Sequence, residues 1–289
     1  MSPALGISNR LSLPRPAQAW IAGGCAAVFL MLAPLPAAAQ GRLEAHYEAS
    51  LAGIAVGRGT WGIEISDDYY SASAQGATAG LLKAFSSGTG TGAAQGRIVN
   101  GALVPQSYMA TISSKKSETI KINLANGNIR DFTIEPEPPV DPDRVVVTSE
   151  HKKGVVDPMT SSLVRVSGTG ELLGPDACRG GSSVFDGRLR YDLKLDFKRM
   201  ETVRAEKGYH GPAVVCAIYF TPVAGYIPDR PVIKYLATER KMEITLVPIA
   251  GTRVLVPFRL SIPTPFGLAV LEATQFHTVA IPPRVAKTQ

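Results

Sequence analysis

The chain has 289 residues, a formal net charge of +6 and a hydrophobic content of 45%. This length and composition suit one large core, since β-rich chains of roughly 200–250 residues commonly remain single domains. Lysine and arginine are spread along the chain without a basic block interleaved with aromatic residues, which argues against a nucleic-acid partner.

Residues 1–39 have the composition of a secretory signal peptide. Arg10 and Arg15 supply a positive amino-terminal region, an apolar run covers residues 20–35, and the alanines at 37–39 match a cleavage site. A membrane anchor is the alternative, but glycine and proline interrupt the run, which falls short of the ~20 apolar residues that a span needs. We therefore expect the signal to be cleaved and no transmembrane segment to remain after processing.

Cleavage after residue 39 leaves residues 40–289 as a single β-rich domain, which we expect in the periplasm. Of the three cysteines, Cys178 and Cys216 remain, and an even number in an oxidising compartment indicates one disulfide bond. A zinc site is the alternative. It needs two further ligands, and neither cysteine belongs to a CxxC motif or lies near a histidine in the sequence.

The first half of this domain alternates apolar and polar residues with the period of two that is typical of strands with one buried face. The segments concerned are 43–51, 60–66, 69–75 and a hairpin at 120–134. Asn126 and Gly127 supply the positive φ angles of a tight turn in that hairpin. The run 86–96, rich in glycine and serine, predicts a flexible connection or an irregular strand. Four prolines make 135–144 a surface loop, and strand-like sequence resumes at 144–150.

One helix is predicted in the middle of the chain. Asp157 suits the N-cap position and Pro158 the first helical turn, while Met159, Leu163 and Val166 follow at i, i+4 and i+7. We expect these three apolar side chains to cover the opening of a curved sheet.

The clearest strand is 190–198, and a glycine- and proline-containing turn leads to its hairpin partner at 214–221. A turn centred near residues 209 and 210 places Cys216 opposite Val203. Cys178 would then reach its partner from the loop before the first strand, and a bond would fasten that loop onto the hairpin.

Four more strands are predicted after this hairpin, at 232–236, 241–247, 254–262 and 268–277. Short strands that recur at about 8 to 12 residues with turn signals between them indicate an all-β sandwich or barrel. We expect a mainly β fold in which a curved antiparallel sheet forms an incomplete barrel or β-spiral around the one principal helix.

The sequence carries no local catalytic or metal-binding motif. The four histidines stand alone, without HxH or HExxH spacing. Residues 88–93 fit the permissive GxGxxA form of a dinucleotide fingerprint, but no strand–helix–strand units surround them. We therefore expect a non-enzymatic protein without catalytic residues, cofactor or metal.

The segments CRGGSSVFDGRLRYDLKLDF and GYHGPAVVCAIYFTPVAGY resemble a family of exported Gram-negative proteins known as domain of unknown function 3108. Residues 47–59 match its opening strand pair, 154–163 its Val-Asp-Pro helix start, and 185–188 its Phe-Asp-Gly-Arg patch. The resemblance implies a secreted β-rich domain in which Cys178 and Cys216 are paired, and it implies no catalytic residue. More distantly, the pattern is similar to periplasmic lipoprotein carriers and to envelope-integrity proteins with spiralled sheets.

These features predict a periplasmic envelope protein that binds a lipid or another apolar ligand, or that acts as a scaffold for an envelope protein partner. One alternative is a hydrolase that acts on envelope material with a site assembled from distant residues, and another is a module that only binds partners. An apolar cavity would favour ligand binding, whereas a cleft with coupled titratable residues would favour an enzyme.

Overall fold

A computed structural model describes residues 40–80 and 88–282. Residues 1–39, with the predicted signal peptide and its cleavage site, lie outside the described residues. The strands within the described ranges are β1 Gly41–Leu51, β2 Ile54–Ile65, β3 Tyr69–Thr78, β4 Thr89–Val99, β5 Ala102–Ser113, β6 Ser117–Ala125, β7 Asn128–Glu135, β8 Val164–Arg165, β9 Gly180–Phe185, β10 Arg190–Arg204, β11 Lys207–Gly208, β12 His210–Ala224, β13 Glu243–Pro248, β14 Val254–Thr264 and β15 Gly267–Ala280. The α-helices there are α1 Pro158–Ser161 and α2 Pro231–Thr238, and the 3-10 helices are Glu150–Lys152 and Pro175–Cys178.

These strands form one large antiparallel sheet that is not closed into a barrel, which confirms the predicted fold class. Its strand order is β7-β6-β5-β4-β3-β2-β1-β15-β14-β13-β12-β10-β9, with β8 beside β14 and the short β11 parallel to β15. The first and last strands pair with each other in the middle of the sheet. We call β1–β7 the N-terminal arm and β9–β15 the C-terminal arm.

The two arms curl towards each other. The edge strands β7 and β9 are twelve positions apart in the sheet, which in a flat sheet would separate them by about 58 Å. Instead, the ring centroids of Phe132 in β7 and Phe185 in β9 are 5.1 Å apart, and Arg188 forms an ion pair with Glu118 in β6. The sheet therefore wraps around an interior space.

The chain that precedes α1 runs along the seam between the two edges. The amide of Val156 donates to Ser183 O (2.9 Å), and the amide of Phe185 donates to Val156 O (3.0 Å). On the other side, the amide of Val155 donates to Gly127 O in the β6–β7 turn (2.7 Å). A short stretch of backbone thus satisfies polar groups of both arms where the ladder is interrupted.

The strand pattern of the sequence explains the burial of β1. Its odd-numbered positions Leu43, Ala45 and Tyr47 are buried, and Arg42 and Glu44 between them are exposed. The hairpin at 120–134 also forms as predicted, with positive φ angles at its two central turn residues. Alternation predicts a strand reliably here because each of these strands has one face against the interior.

The predicted central helix is much shorter in the structure. α1 ends at Ser161, whose hydroxyl donates to Pro158 O (2.8 Å), as does that of Ser162 (3.1 Å). Leu163 and Val166 lie beyond the helix and are buried in two different apolar clusters. The residues between them pair with β14 as β8, because an open position beside β14 satisfies their backbone groups better than further helical turns would.

Three other predicted segments need correction. Residues 232–236 lie in α2 instead of a strand, because Pro231 occupies the first helical position, where its missing N–H costs nothing. Residues 144–150 contain no strand, and Val145 is bonded only to the loop at 225–226. Residues 86 and 87 lie outside the described residues, and from Thr89 onward the glycine-rich run is a strand that pairs with β3 and β5 and has a bulge between Gln95 and Gly96. Of the two alternatives predicted for this run, the irregular strand is therefore confirmed and the flexible connection is wrong there.

The hairpin register also differs from the prediction. Arg204 pairs with His210, so the turn is centred at Lys207, and a bulge follows Phe197. As a result Cys216 lies opposite Phe197 and not Val203. A turn several residues earlier and one bulge residue account for the shift, since each changes the pairing of every later residue.

The predicted disulfide between Cys178 and Cys216 is confirmed, with 5.6 Å between the two Cα atoms. Cys216 lies in β12 and Cys178 lies just before β9, and β10 separates these two strands in the sheet. A regular ladder would therefore hold the two cysteines about 10 Å apart. The 3-10 helix that ends at Cys178 contacts both β10 and β12 and brings the two cysteines together. The bond therefore fastens the start of edge strand β9 across its neighbour.

Replacing Cys178 and Cys216 together with alanine should lower the free energy of unfolding by about 4 kcal/mol, the loop-entropy value for a bond between residues 38 positions apart. Urea unfolding followed by fluorescence measures this loss. The wild-type protein under reducing conditions serves as the control and should shift similarly. Equal midpoints for the variant and the oxidised wild type would show that the bond does not stabilise the fold.

Candidate apolar ligand-binding site

The helix α1 is anchored by a buried carboxylate. Asp157 occupies the N-cap and Pro158 the first helical position. The Oδ1 atom of Asp157 accepts from the amides of Met159 (2.9 Å) and Thr160 (2.8 Å), and Oδ2 accepts from the Thr160 hydroxyl (2.6 Å). Asp157 has no exposed surface. Its side chain thus satisfies helix-end donors that water cannot reach.

A hydrogen-bond chain ties this cap to the sheet. The hydroxyls of Thr160 and Tyr70 in β3 are 2.8 Å apart. Burial raises the pKa of Asp157, and it raises the pKa of the Tyr70 phenol as well. Besides β3, α1 contacts β4 and β5 in the N-terminal arm and β9 in the C-terminal arm. The helix α1 is only about 6 Å long. Because it contacts strands of both arms, it lies inside the space around which the sheet wraps.

A cavity of about 630 Å³, here called the smaller cavity, lies between α1 and the N-terminal arm. Its floor is a row of glycines on three neighbouring strands, in which Gly59 pairs with Gly76 and Gly76 with Gly90. The next row is Ala74, Gly92 and Ala110. Because these residues carry at most a methyl group, the space above the strands stays empty.

Larger apolar side chains form the walls of the smaller cavity. Those with aromatic rings are Tyr47, Trp61 and Tyr108, and α1 contributes Met159. The Tyr47 hydroxyl donates to Pro257 O (2.6 Å), which fixes that ring against β14. Burial raises the pKa of Tyr108 to about 12, so that its phenol is uncharged at neutral pH.

The glycine floor of the smaller cavity was not predicted, although the sequence contains a pattern that indicates it. Glycine recurs at every second position from Gly88 to Gly92, which is the period of a strand. A strand with this pattern has one face without side chains. The pattern therefore indicates space beside a regular strand as well as backbone flexibility.

A second cavity of about 840 Å³, here called the larger cavity, is lined mainly by the C-terminal arm and also by the β4–β5 turn. The apolar strand residues that line it include Leu193, Leu195, Ile218, Phe220, Ile244 and Leu260. Ile233 and Leu236 of α2 also face it. Ile218 and Ile244 belong to the same apolar cluster as the disulfide, so the covalent bond holds one wall of this cavity.

The two cavities adjoin each other. Ser162 at the end of α1, together with Pro257 and Leu260 of β14, lines both of them. The segment predicted as the central helix therefore separates two apolar spaces. Of its predicted residues, Met159 lines the smaller cavity, Leu163 lines the larger, and Asp157 and Val166 are buried beside them.

A polar cavity of about 660 Å³ adjoins the smaller cavity at the glycine row. Its lining includes His46, Glu48, Arg58 and Glu206. Arg58 donates two hydrogen bonds to Glu48, each 3.2 Å long. The positive charge at this end is therefore already paired.

Titratable groups of the larger cavity are held by the fold. Asp186 accepts from the amides of Arg188 (2.8 Å) and Leu189 (2.7 Å) through Oδ1. Burial raises the pKa of Asp186 above that of an ordinary carboxyl. Burial and the nearby charge of Asp186 raise the pKa of Tyr191. These groups supply hydrogen-bonding sites beside the apolar side chains of the lining.

Within 40–80 and 88–282, no group of three or more His, Cys, Asp or Glu side chains is arranged to hold a metal ion. No helix in the same ranges has both the length and the apolar composition required to span a bilayer.

A family model, "Protein of unknown function (DUF3108)", matches residues 46–274. The chain belongs to the DUF3108 family. The match runs from β1 to β15 and includes both cavities and both cysteines of this DUF3108 protein. No curated protein matches its sequence.

Among solved structures, the DUF3108 chain is similar to a β-barrel-like protein of domain of unknown function DUF1849 from Brucella abortus. The sequences are 8% identical, and the alignment covers 83% of this chain and 98% of the other, with a TM-score of 0.44.

Replacing Asp157 of the DUF3108 chain with alanine should lower the free energy of unfolding by about 2–4 kcal/mol, because the N-cap is lost and buried donors stay unpaired. Asp157→Asn is the matched control. It keeps an acceptor for both amides, and the Thr160 hydroxyl can donate to Tyr70 instead, so its loss should be smaller. Urea unfolding of both variants checks this, and equal losses would contradict a role that depends on hydrogen-bond acceptance.

Proposed function

We propose that the protein is a non-enzymatic periplasmic envelope protein that binds a lipid or another apolar ligand between the arms of its sheet. The observation that supports this most is the pair of adjoining cavities with apolar linings. Both volumes fall within the range of roughly 300–1,000 Å³ that is typical of ligand sites.

The chemistry of the linings supports the same proposal. Water in an apolar cavity finds few hydrogen-bond partners, whereas an apolar ligand makes dispersion contacts with the side chains that line it. Apolar cavities in proteins therefore take up apolar ligands readily. In this chain the smaller cavity results from a whole row of glycines, where a single alanine or valine on each strand would reduce it.

The periplasmic part of the proposal comes from two features. The composition of residues 1–39 is that of an export signal. The disulfide between Cys178 and Cys216 suits a compartment in which thiols are oxidised.

The two alternative functions, hydrolase and scaffold, would require other structural features than ligand binding does. A hydrolase needs an acid or nucleophile that reaches its substrate, whereas Asp157 is fully buried and its two oxygens already accept three hydrogen bonds. A scaffold needs no internal cavity and would bind an envelope protein partner instead. Ligand binding is the function that uses the cavities.

Lipid analysis of the purified protein tests the proposal. The full chain is expressed in a Gram-negative host, purified from the periplasmic fraction without detergent, and extracted for mass spectrometry. We expect intact lipid in stoichiometric amount, absent from an unrelated periplasmic protein purified in parallel. Cleaved lipid products would favour the hydrolase, and lipid-free protein with a co-purifying envelope protein would favour the scaffold. Either result would reject the proposal.

Gly90→Leu should reduce the amount of bound lipid roughly tenfold, because a side chain at this position occupies the smaller cavity. A Cβ atom built on Gly90 has Thr111 O as its nearest neighbour at 3.9 Å, so a side chain can begin at this position without a clash at its Cβ. Ala93→Leu is the matched control, since Ala93 lies on the same strand but is exposed and lines neither cavity.

Lipid per protein is measured for both variants beside their thermal unfolding. Undiminished lipid in a folded Gly90→Leu protein would exclude the smaller cavity from the binding site.

A further inference from the structure

The larger cavity has a positively charged rim. Arg165 of β8 lines it, and its Nε donates to Gly101 O in the β4–β5 turn (2.6 Å). A Cβ atom built on Gly101 would be only 2.7 Å from Arg165 Nη2. The guanidinium thus lies flat against this turn, where polar residues such as Asn100 and Ser167 replace the apolar lining.

This charge has no acidic partner among the described residues. In residues 40–80 and 88–282, no carboxylate lies within ion-pair distance of Arg165 or of its neighbour Arg253. The three guanidinium nitrogens of Arg253 donate to the carbonyls of Val166, Gly170 and Ser167. Partial burial lowers the pKa of Arg165, and the charge of Arg253 lowers it further. Two like charges therefore lie close together beside an apolar space.

The other charged residues of this cavity are already engaged. Arg179 forms an ion pair with Asp176 (2.9 Å). Asp186 is held by two backbone amides, and Arg188 next to it is paired with Glu118. At the polar cavity beside the other arm, Arg58 is paired with Glu48. Of the two arginines that line the larger cavity, Arg165 is thus the one without an ion pair among the described residues.

We propose that the larger cavity binds an anionic phospholipid, whose acyl chain lies among the apolar side chains and whose phosphate accepts hydrogen bonds from Arg165. This inference rests on the proposed function and names the class of ligand. An arginine fork matches the oxygens of a phosphate in two parallel hydrogen bonds. The anion would also relieve the repulsion between Arg165 and Arg253, which a neutral ligand would leave in place.

The test compares two lipids with the same acyl chains. The full-length mature protein is incubated with vesicles of equimolar phosphatidylglycerol and phosphatidylcholine, re-isolated, and analysed by mass spectrometry for the ratio of the two. Both headgroups offer the same phosphate, but the choline of phosphatidylcholine adds a positive charge beside Arg165 and Arg253. We therefore expect phosphatidylglycerol, which is net negative, to be enriched roughly tenfold. Inorganic phosphate alone should not displace the bound lipid, since it lacks the acyl chain.

Variants assign the enrichment to Arg165. In Arg165→Gln the ratio should fall to near one while phosphatidylcholine stays bound, and Arg165→Lys should keep part of the enrichment. Arg97→Gln is the charge-matched control, because Arg97 is exposed, pairs with Asp68 and lines none of the three cavities named above. If Arg165→Gln does not fold, the lipid ratio of the wild-type protein is measured at increasing salt concentration instead. Salt should reduce the enrichment, because it screens ion pairs that are exposed to solvent.

The outcomes separate this inference from the proposed function. Equal uptake of both lipids by the wild type, or full enrichment in a folded Arg165→Gln protein, overturns the anionic headgroup site and leaves lipid binding in place. Displacement of the lipid by phosphate alone overturns the proposal that the ligand needs an acyl chain as well as a phosphate. Uptake of neither lipid overturns both.

Discussion

The wrapped architecture depends on one stretch of backbone that connects the two arms from inside. Val155 and Val156 bond to both edges of the sheet, and Asp157 then begins a helical turn that contacts β3–β5 and β9. Burying a carboxylate is costly unless its hydrogen bonds are satisfied. Here every acceptor contact goes to the turn that Asp157 begins, so the buried charge fixes where the chain crosses the interior. The cavities lie on either side of that crossing.

The same crossing explains why empty space persists in the interior. A four-residue helix is too short to cover strands that it faces across a row of glycines. On the other side, Leu163 and Val166 pack into separate clusters, and side chains of β10 and β12 such as Leu193 and Phe220 line the larger cavity. The cavities have apolar walls, the disulfide lies behind one of these walls, and Arg165 places a charge at the rim. These features depend on which residues occupy particular positions in the sheet.

Strand alternation identified most of the sheet, because strands such as β1 have one face against the interior. It failed where the determinant is not local. The bulge after Phe197 and the early turn at Lys207 changed the register around Cys216, and β8 formed because β14 offered a free ladder position. The cysteine pair was predictable from the number of cysteines and the predicted export alone. The lack of an ion pair for Arg165 was not predictable, because it depends on which charged residues the fold places beside it.

The pairing of β1 with β15 has a consequence for folding. One edge of β1 is satisfied early, by the hairpin with β2, but its other edge stays open until the last strand of the sheet arrives. Contacts between residues so distant in sequence form slowly. During that time an amphipathic strand presents unpaired amides and carbonyls, which is a template for pairing with another chain. Until β15 pairs, the strand that becomes the centre of the finished sheet is therefore an edge that another chain can pair with.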